Sequence, residues 1–247
     1  ERVLGPAGKV VFTRADVLDG QALFLSRGLM EYGSVFGHGG YLGPDYTADY
    51  LRRSGRILAR RNGEPLDEGG PRTWAELREN RYDAATGVLR YTGGQAAAFA
   101  ELERWYAGYL AEPSSRTGLT PVATTAADVH ALTAFFAWSA CAAAARRPGA
   151  DYSYTNNWPP ERLARNVPTG TMVVWSVLSL VALLGGTGAL FAAFGRWRFL
   201  GWQGREARTL SFRRPGAVTL APSQRVTAWF FLVMALLFLA QTLLGGA

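Results

Sequence analysis

Residues 33–51 read GSVFGHGGYLGPDYTADYL, a glycine-rich turn running into a helix. Pro44 suits the first helical position, where its missing N–H costs nothing, and Asp45 and Asp49 suit the positive helix N-terminus. Gly37, Gly39 and Gly40 free the backbone for positive φ and for close approach to another group. Two readings stay open: an ordinary surface turn, or a loop that presents carbonyls and amides to a partner. His38, between glycines, is open in the same way, as a ligand or proton carrier or as a loop residue without a chemical role.

Around this loop the sequence predicts a mainly helical domain. Thr13 with Asp16 has the capping-box pattern and opens a helix to about Glu31. Pro44–Arg61 is a second helix, with Tyr46, Tyr50, Leu51 and Ile57/Leu58 on recurring faces. Residues 62–70, NGEPLDEGG, form a solvated loop and Pro71–Asn80 a short helix. Tyr82–Tyr91 pairs as a small hairpin around Thr86-Gly87. Thr92–Leu110 is a helix with Phe99, Leu102, Trp105 and Tyr106 inward. Thr124–Arg147 is apolar enough to suggest a membrane span. Only Ala131–Ala145 is uncharged, 15 residues, short of the roughly 20 a span requires. It is therefore predicted as the central packed helix, with His130 a hydrogen-bonded core residue.

Two later segments differ in kind. Thr169–Gly195 has no charged residue and as a helix reaches roughly 40 Å, enough to cross a hydrocarbon core of about 30 Å with tilt. Val226–Ala247 is also uncharged and reaches about 33 Å. Between them, residues 196–225 carry seven arginines and one acid, Glu206, which marks them as cytoplasmic. Trp197, Phe199 and Trp202 suit the membrane interface. Residues 1–168 then lie outside, on the periplasmic side of a bacterial cytoplasmic membrane.

The net charge of +7 is not spread evenly: residues 1–168 hold 19 Arg/Lys against 18 Asp/Glu. A nearly neutral domain excludes a basic face for nucleic acid. Only Lys9 is a lysine, a bias that reflects codon composition. With one cysteine and two histidines, the chain alone offers no Cys/His zinc site, no internal disulfide and no CxxCH haem-attachment motif. Cys141, in an alanine run, reads as a small buried residue. Asn156, Asn157 and Trp158 read either as a turn whose side chains satisfy backbone groups or as a docking surface. Glu1 in place of methionine, and Gly246-Ala247 inside an apolar run, read as ends cut from a longer protein.

Three strings occur in order along the chain: the 33–51 loop, YTNNWP at Tyr154–Pro159 and APSQ at Ala221–Gln224. Together they resemble the N-terminal region of quinol-dependent nitric oxide reductases. The resemblance implies a cytochrome-c-like helical domain over residues 1–168, a transmembrane helix at 169–195, a cytoplasmic basic loop at 196–225 and a second transmembrane helix at 226–247. In the sister family, which takes electrons from cytochrome c, a similar loop follows a CxxCH. Laid on this chain, that window falls at Leu29-Met30-Glu31-Tyr32-Gly33, without cysteine or histidine. The domain thus resembles a cytochrome c fold that has lost its haem.

In that related protein, loop backbone oxygens help hold a calcium ion between haem propionates, and the matching positions here are Gly39 and Tyr41. Two carbonyl oxygens alone do not bind calcium tightly. The implied reaction joins two NO into N₂O and water, with two electrons from membrane quinol and two protons. The resemblance places it at haem b3 and a non-haem iron, served by haem b, in a downstream catalytic helical bundle. This chain then has no catalytic residue of its own: it caps and anchors that bundle in the lipid bilayer. The rival expectation is a free-standing membrane-anchored periplasmic binding or sensor domain.

Overall fold

A computed structural model describes residues 1–111, 125–197 and 229–239. The chain divides into two compact units, Glu1–Thr169 and Gly170–Ala247.

In the first unit, helix α1 (Arg14–Ser26) opens on the expected capping box. The Thr13 N–H donates to Asp16 Oδ2 at 2.7 Å, and the Asp16 N–H donates back to Thr13 Oγ1 at 3.3 Å. The helix stops before Glu31, because Gly28 adopts the left-handed conformation (φ 69°), a common helix stop. The chain resumes as the short α2 (Leu29–Tyr32).

Two strands precede α1 that the sequence reading missed, β1 (Arg2–Leu4) and β2 (Val10–Thr13). At three and four residues they are too short to show a period-2 pattern. Ser34–Val35 (β3) and His38–Gly39 (β4) make a two-stranded sheet of their own. The expected hairpin is β5 (Tyr82–Asp83) with β6 (Val88–Arg90), in the register Tyr82↔Leu89. β6 also pairs in parallel with β1, giving the order β2-β1-β6-β5.

The remaining helices are α3 (Tyr46–Asn62), α4 (Pro71–Arg78), α5 (Gly93–Ala111) and α6 (Ala126–Ala144). α4 ends at Arg78, two residues before the expected Asn80, and its N-terminus is capped from the loop: Glu64 accepts from the Arg72 and Thr73 amides, both at 3.0 Å. α3 buries Tyr46, Tyr50, Leu51, Ile57 and Leu58, each worth about 1.5–3 kcal/mol of burial.

α6 is the central helix, as its short uncharged stretch predicted: Leu132, Ala134 and Phe136 are wholly buried. α1 crosses it closely. A Cβ on Gly20 would overlap the Ala131 carbonyl, so only glycine admits this approach. Aromatic rings fill the interior. Tyr46 stacks on Phe136 at 4.4 Å, and Phe24 meets Tyr46 edge-on at 5.8 Å and Phe136 at 6.2 Å. Phe99, Leu102 and Tyr106 point inward as expected, whereas Trp105 is only half-buried, roofed by the Arg53 guanidinium at 3.4 Å.

In the second unit, α7 (Gly170–Trp197) contains one stretch long and apolar enough to cross a membrane, Gly170–Phe191, of mean hydropathy 1.9. None of that stretch is buried within the protein. The expected span 226–247 is described only as the apolar helix Trp229–Leu239. Most of the basic segment 196–225, with Phe199, Trp202 and the APSQ string, lies outside the described residues.

Candidate functional site

The loop after α2 is organised by Asp45. This residue, not Pro44, starts α3: it is the N-cap, so Pro44 lies outside the helix. Asp45 Oδ1 accepts from the Ala48 amide at 2.9 Å, and Oδ2 accepts from the Gly37 amide at 2.7 Å and the Ser34 hydroxyl at 2.8 Å. A carboxylate takes these extra donors where a proline ring could not. The Phe36 amide donates to Thr47 Oγ1 at 3.1 Å, and that hydroxyl donates to Ser139 Oγ at 3.1 Å, which ties the loop to α6.

Gly39 has φ 142°, a value that favours glycine, and a Cβ there would overlap the Gly33 carbonyl oxygen. At Gly40 only the second expected reason, close approach, applies. Its φ is not in the positive region, but its amide donates to Met30 O at 2.6 Å and a Cβ would strike the Glu31 carbonyl. Both glycines therefore seat the loop on the protein's own α2. What faces outward is the tip: Tyr41 is 90% exposed and Leu42 69%. His38 is exposed, with Nδ1 2.9 Å from the carbonyl oxygen of Phe36 in its own loop.

The second string forms a loop over residues 151–167 built around a group the sequence reading missed, Arg78 of α4. This guanidinium is 7% exposed. Nη1 donates to the carbonyls of Ala164 and Arg165 at 3.2 and 3.1 Å and to Asn166 Oδ1 at 3.1 Å; Nη2 donates to the Asp151 carbonyl at 2.6 Å. Burial, with Arg146 and Arg165 nearby, holds its pKa below the usual arginine value. Among so many arginines, nothing in the sequence distinguishes this one.

Asn157 is also nearly buried. Its Oδ1 accepts from the Ser153 amide at 3.0 Å and its Nδ2 donates to the Val167 carbonyl at 3.1 Å. Asn156 and Asn157 sit at φ 55° and 62°, the left-handed region that asparagine tolerates. The Asn156 carbonyl accepts from the Thr169 amide at 3.3 Å. The turn reading thus accounts for Asn157, whose side chain satisfies backbone groups. Trp158 is half-buried and rests on Gly37, where a Cβ would lie 3.1 Å from the indole. The fold thereby brings the two strings together.

Within the window at Leu29–Gly33, the first and last positions leave no space for a ligating side chain, whereas Met30 and Glu31 are exposed. Leu29 is wholly buried, and a Cβ on Gly33 would lie 2.5 Å from the Pro44 carbonyl oxygen and 2.8 Å from the Tyr46 ring. Among the described residues no group of three or more His, Cys, Asp or Glu side chains gathers to hold a metal. The loop's own carboxylate, Asp45, is engaged by three donors. The loop alone is therefore no calcium cage, and two backbone oxygens at Gly39 and Tyr41 fit only as a minor share of a six- to eight-oxygen shell.

His130 is hydrogen-bonded, as expected, but it is part-buried at the edge of the core, where it meets groups of α5 and α1. Its Nδ1 lies 2.7 Å from Glu103 Oε1 and its Nε2 3.8 Å from Asp16, with its ring edge-on to Phe99 at 5.6 Å. Cys141 packs within α6, and burial pushes its thiol up to about 11, so little nucleophilic thiolate is present at neutral pH.

No curated protein matches the chain. The family model for the cytochrome c-like domain of NorB, a nitric oxide reductase chain, matches residues 1–160, well over half of the sequence. With its mainly helical core and its membrane-length α7, the chain belongs to that family.

Proposed function

We propose that the chain is the N-terminal part of a quinol-dependent nitric oxide reductase of the bacterial cytoplasmic membrane. In this reading residues 1–168 lie on the periplasmic side, helices at 169–195 and 226–247 anchor them in the bilayer, and the arginine-rich 196–225 faces the cytoplasm. The downstream helical bundle, with haem b, haem b3 and a non-haem iron, supplies the chemistry that reduces two NO to N₂O and water with two electrons and two protons.

This chain's own part is structural. The exposed Tyr41-Leu42 tip docks on the bundle, and the backbone oxygens of Gly39 and Tyr41 add two ligands to a calcium shell completed there. The observation that carries the quinol assignment is the window at Leu29–Gly33. It holds no cysteine for a thioether bond and no histidine for iron, and the Tyr46 ring and Pro44 carbonyl occupy the space beside Gly33. A domain built this way has no haem c to receive electrons from a soluble cytochrome, so electrons enter from the membrane.

The test is NO consumption by the purified full-length enzyme with a reduced quinol or with reduced cytochrome c as donor. Quinol is expected to sustain turnover and cytochrome c to give less than a tenth of that rate. The reverse preference overturns the quinol assignment. Turnover with neither donor would favour the free-standing binding or sensor domain.

A further inference from the structure

Arginines of the first unit differ in what they face. On α3, Arg53 meets Asp49 at 2.8 Å, Arg56 meets Asp67 at 3.0 Å and Arg60 meets Glu101 at 2.8 Å. Arg146, Arg147, Arg162 and Arg165, in and just before the 151–167 loop, are all exposed. None of these four makes an ion pair among the described residues.

Two of the four are steadied by aromatic rings instead. The Arg165 guanidinium lies 4.8 Å from the centre of the Trp74 ring, and that of Arg147 lies 5.4 Å from the Tyr154 ring and 6.0 Å from the Tyr152 ring. A ring face attracts a guanidinium without using its N–H groups, so these donors stay free for an acceptor from outside. Neighbouring acids do not cancel the charge. Glu161 Oε1 accepts from the Leu163 amide at 3.2 Å, and its Oε2 lies 3.9 Å from Arg52. Burial first, then Arg146 and Arg165, lower the pKa of Arg78, and Asp151 alone acts the other way.

Connectivity puts this surface beside a bilayer. Arg165 precedes Gly170, the first residue of the membrane-length stretch, by five positions, at most about 18 Å of extended chain. Hydrogen bonds fold that path back: the Thr169 amide donates to the Asn156 carbonyl at 3.3 Å and Asn157 Nδ2 to the Val167 carbonyl at 3.1 Å. Tyr154, against Arg147, is two residues from Asn156. The headgroup layer adds roughly 5–7 Å beyond the hydrocarbon on each side, and an arginine's long stem carries its charge toward it.

We propose that Arg146, Arg147, Arg162 and Arg165 form a surface that binds the phosphate groups of anionic phospholipids where α7 enters the membrane. A guanidinium pairs with a phosphate through two parallel N–H···O bonds, and headgroups are the phosphates that the chain's own anchor brings within reach. The proposal rests on α7 spanning the bilayer and not on the quinol assignment.

The experiment places the full chain in nanodiscs of phosphatidylcholine alone or mixed equally with phosphatidylglycerol, and follows unfolding of the first unit by near-ultraviolet circular dichroism. Phosphatidylglycerol is expected to raise the midpoint by several degrees. Salt at about 1 M, which shortens the screening length to about 3 Å, is expected to remove the rise. Arg147→Gln with Arg165→Gln is expected to remove most of it; should that pair fail to fold, Arg146→Gln with Arg162→Gln replaces it. No rise with phosphatidylglycerol overturns the proposal. So does an equal rise in the variant, which assigns the lipid effect to other residues, or an equal loss of stability in both lipids, which places the arginines against protein. An equal rise from inorganic phosphate added to phosphatidylcholine discs makes the ligand a free anion and rejects the lipid. A chain that does not enter the discs refutes the span itself, and the proposal with it, whereas the other failures leave the span standing.

Discussion

The two loops that meet at Gly37 and Trp158 reach order by different means. The loop over residues 33–45 is held from within its own neighbourhood, by glycines seated against α2 and by one carboxylate that caps the next helix. The loop over residues 151–167 is held from outside, by an arginine more than 70 positions earlier in the chain. The first loop's shape follows from which side chains are absent. The second's follows from one side chain that ends in a guanidinium, because five donors in a fixed fork can serve several carbonyls at once. The first is the more legible in a sequence and the less tolerant of substitution.

That contrast can be broken at its strongest point first. Gly40→Val puts a branched side chain where the Glu31 carbonyl sits, and neither backbone can move without losing the 2.6 Å bond to Met30. The expected cost is on the order of 3–5 kcal/mol, read by denaturant unfolding. A loss under about 1 kcal/mol would show that the loop slides freely on α2 and that its glycines set nothing.

Arg78→Met comes next. It leaves carbonyls of Asp151, Ala164 and Arg165 without their donor, but it also removes a buried cation with no carboxylate partner, which offsets part of the loss. The expected net cost is about 2–3 kcal/mol, accompanied by a changed fluorescence spectrum as Trp158 loses its seat. An unchanged stability would mean that the 151–167 loop, like the other, holds itself. The smallest effect belongs to the tip. Tyr41→Ala removes a side chain that is 90% exposed, so unfolding should shift by no more than about 0.5 kcal/mol. NO turnover of the full-length enzyme should fall nonetheless, and equal loss of stability and activity would take the tip out of the docking role.

Much of the fold was readable because local rules and burial agreed. The capping box expected at Thr13/Asp16 forms, and the brevity of the uncharged stretch in α6 correctly separated a packed helix from a span. Strands β1 and β2 were not readable, since β1 is held by pairing with β6 about 85 residues away, and β2 by pairing with β1, and not by propensity. Pro44 was misplaced by one rule that favours proline at a helix start losing to another that favours aspartate at the cap. Of the two reasons expected for Gly40, positive φ and close approach, the structure uses only the second. Arg78 was invisible, because an arginine's burial depends wholly on which distant carbonyls the fold collects around it.

The close crossing of α1 on α6 at Gly20 and Ala131 also sets a clock. About 110 residues separate the two contact points. At roughly 5–20 residues per second of synthesis, on the order of 5–20 s pass between the emergence of one and the other. Throughout that interval Phe24 has Tyr46 to lean on but neither Phe135 nor Phe136. Contacts this distant in sequence also close slowly, because the chain must give up the freedom of the whole intervening loop before they form. Helix α1, made well before α6, is therefore buried only once α6 has followed.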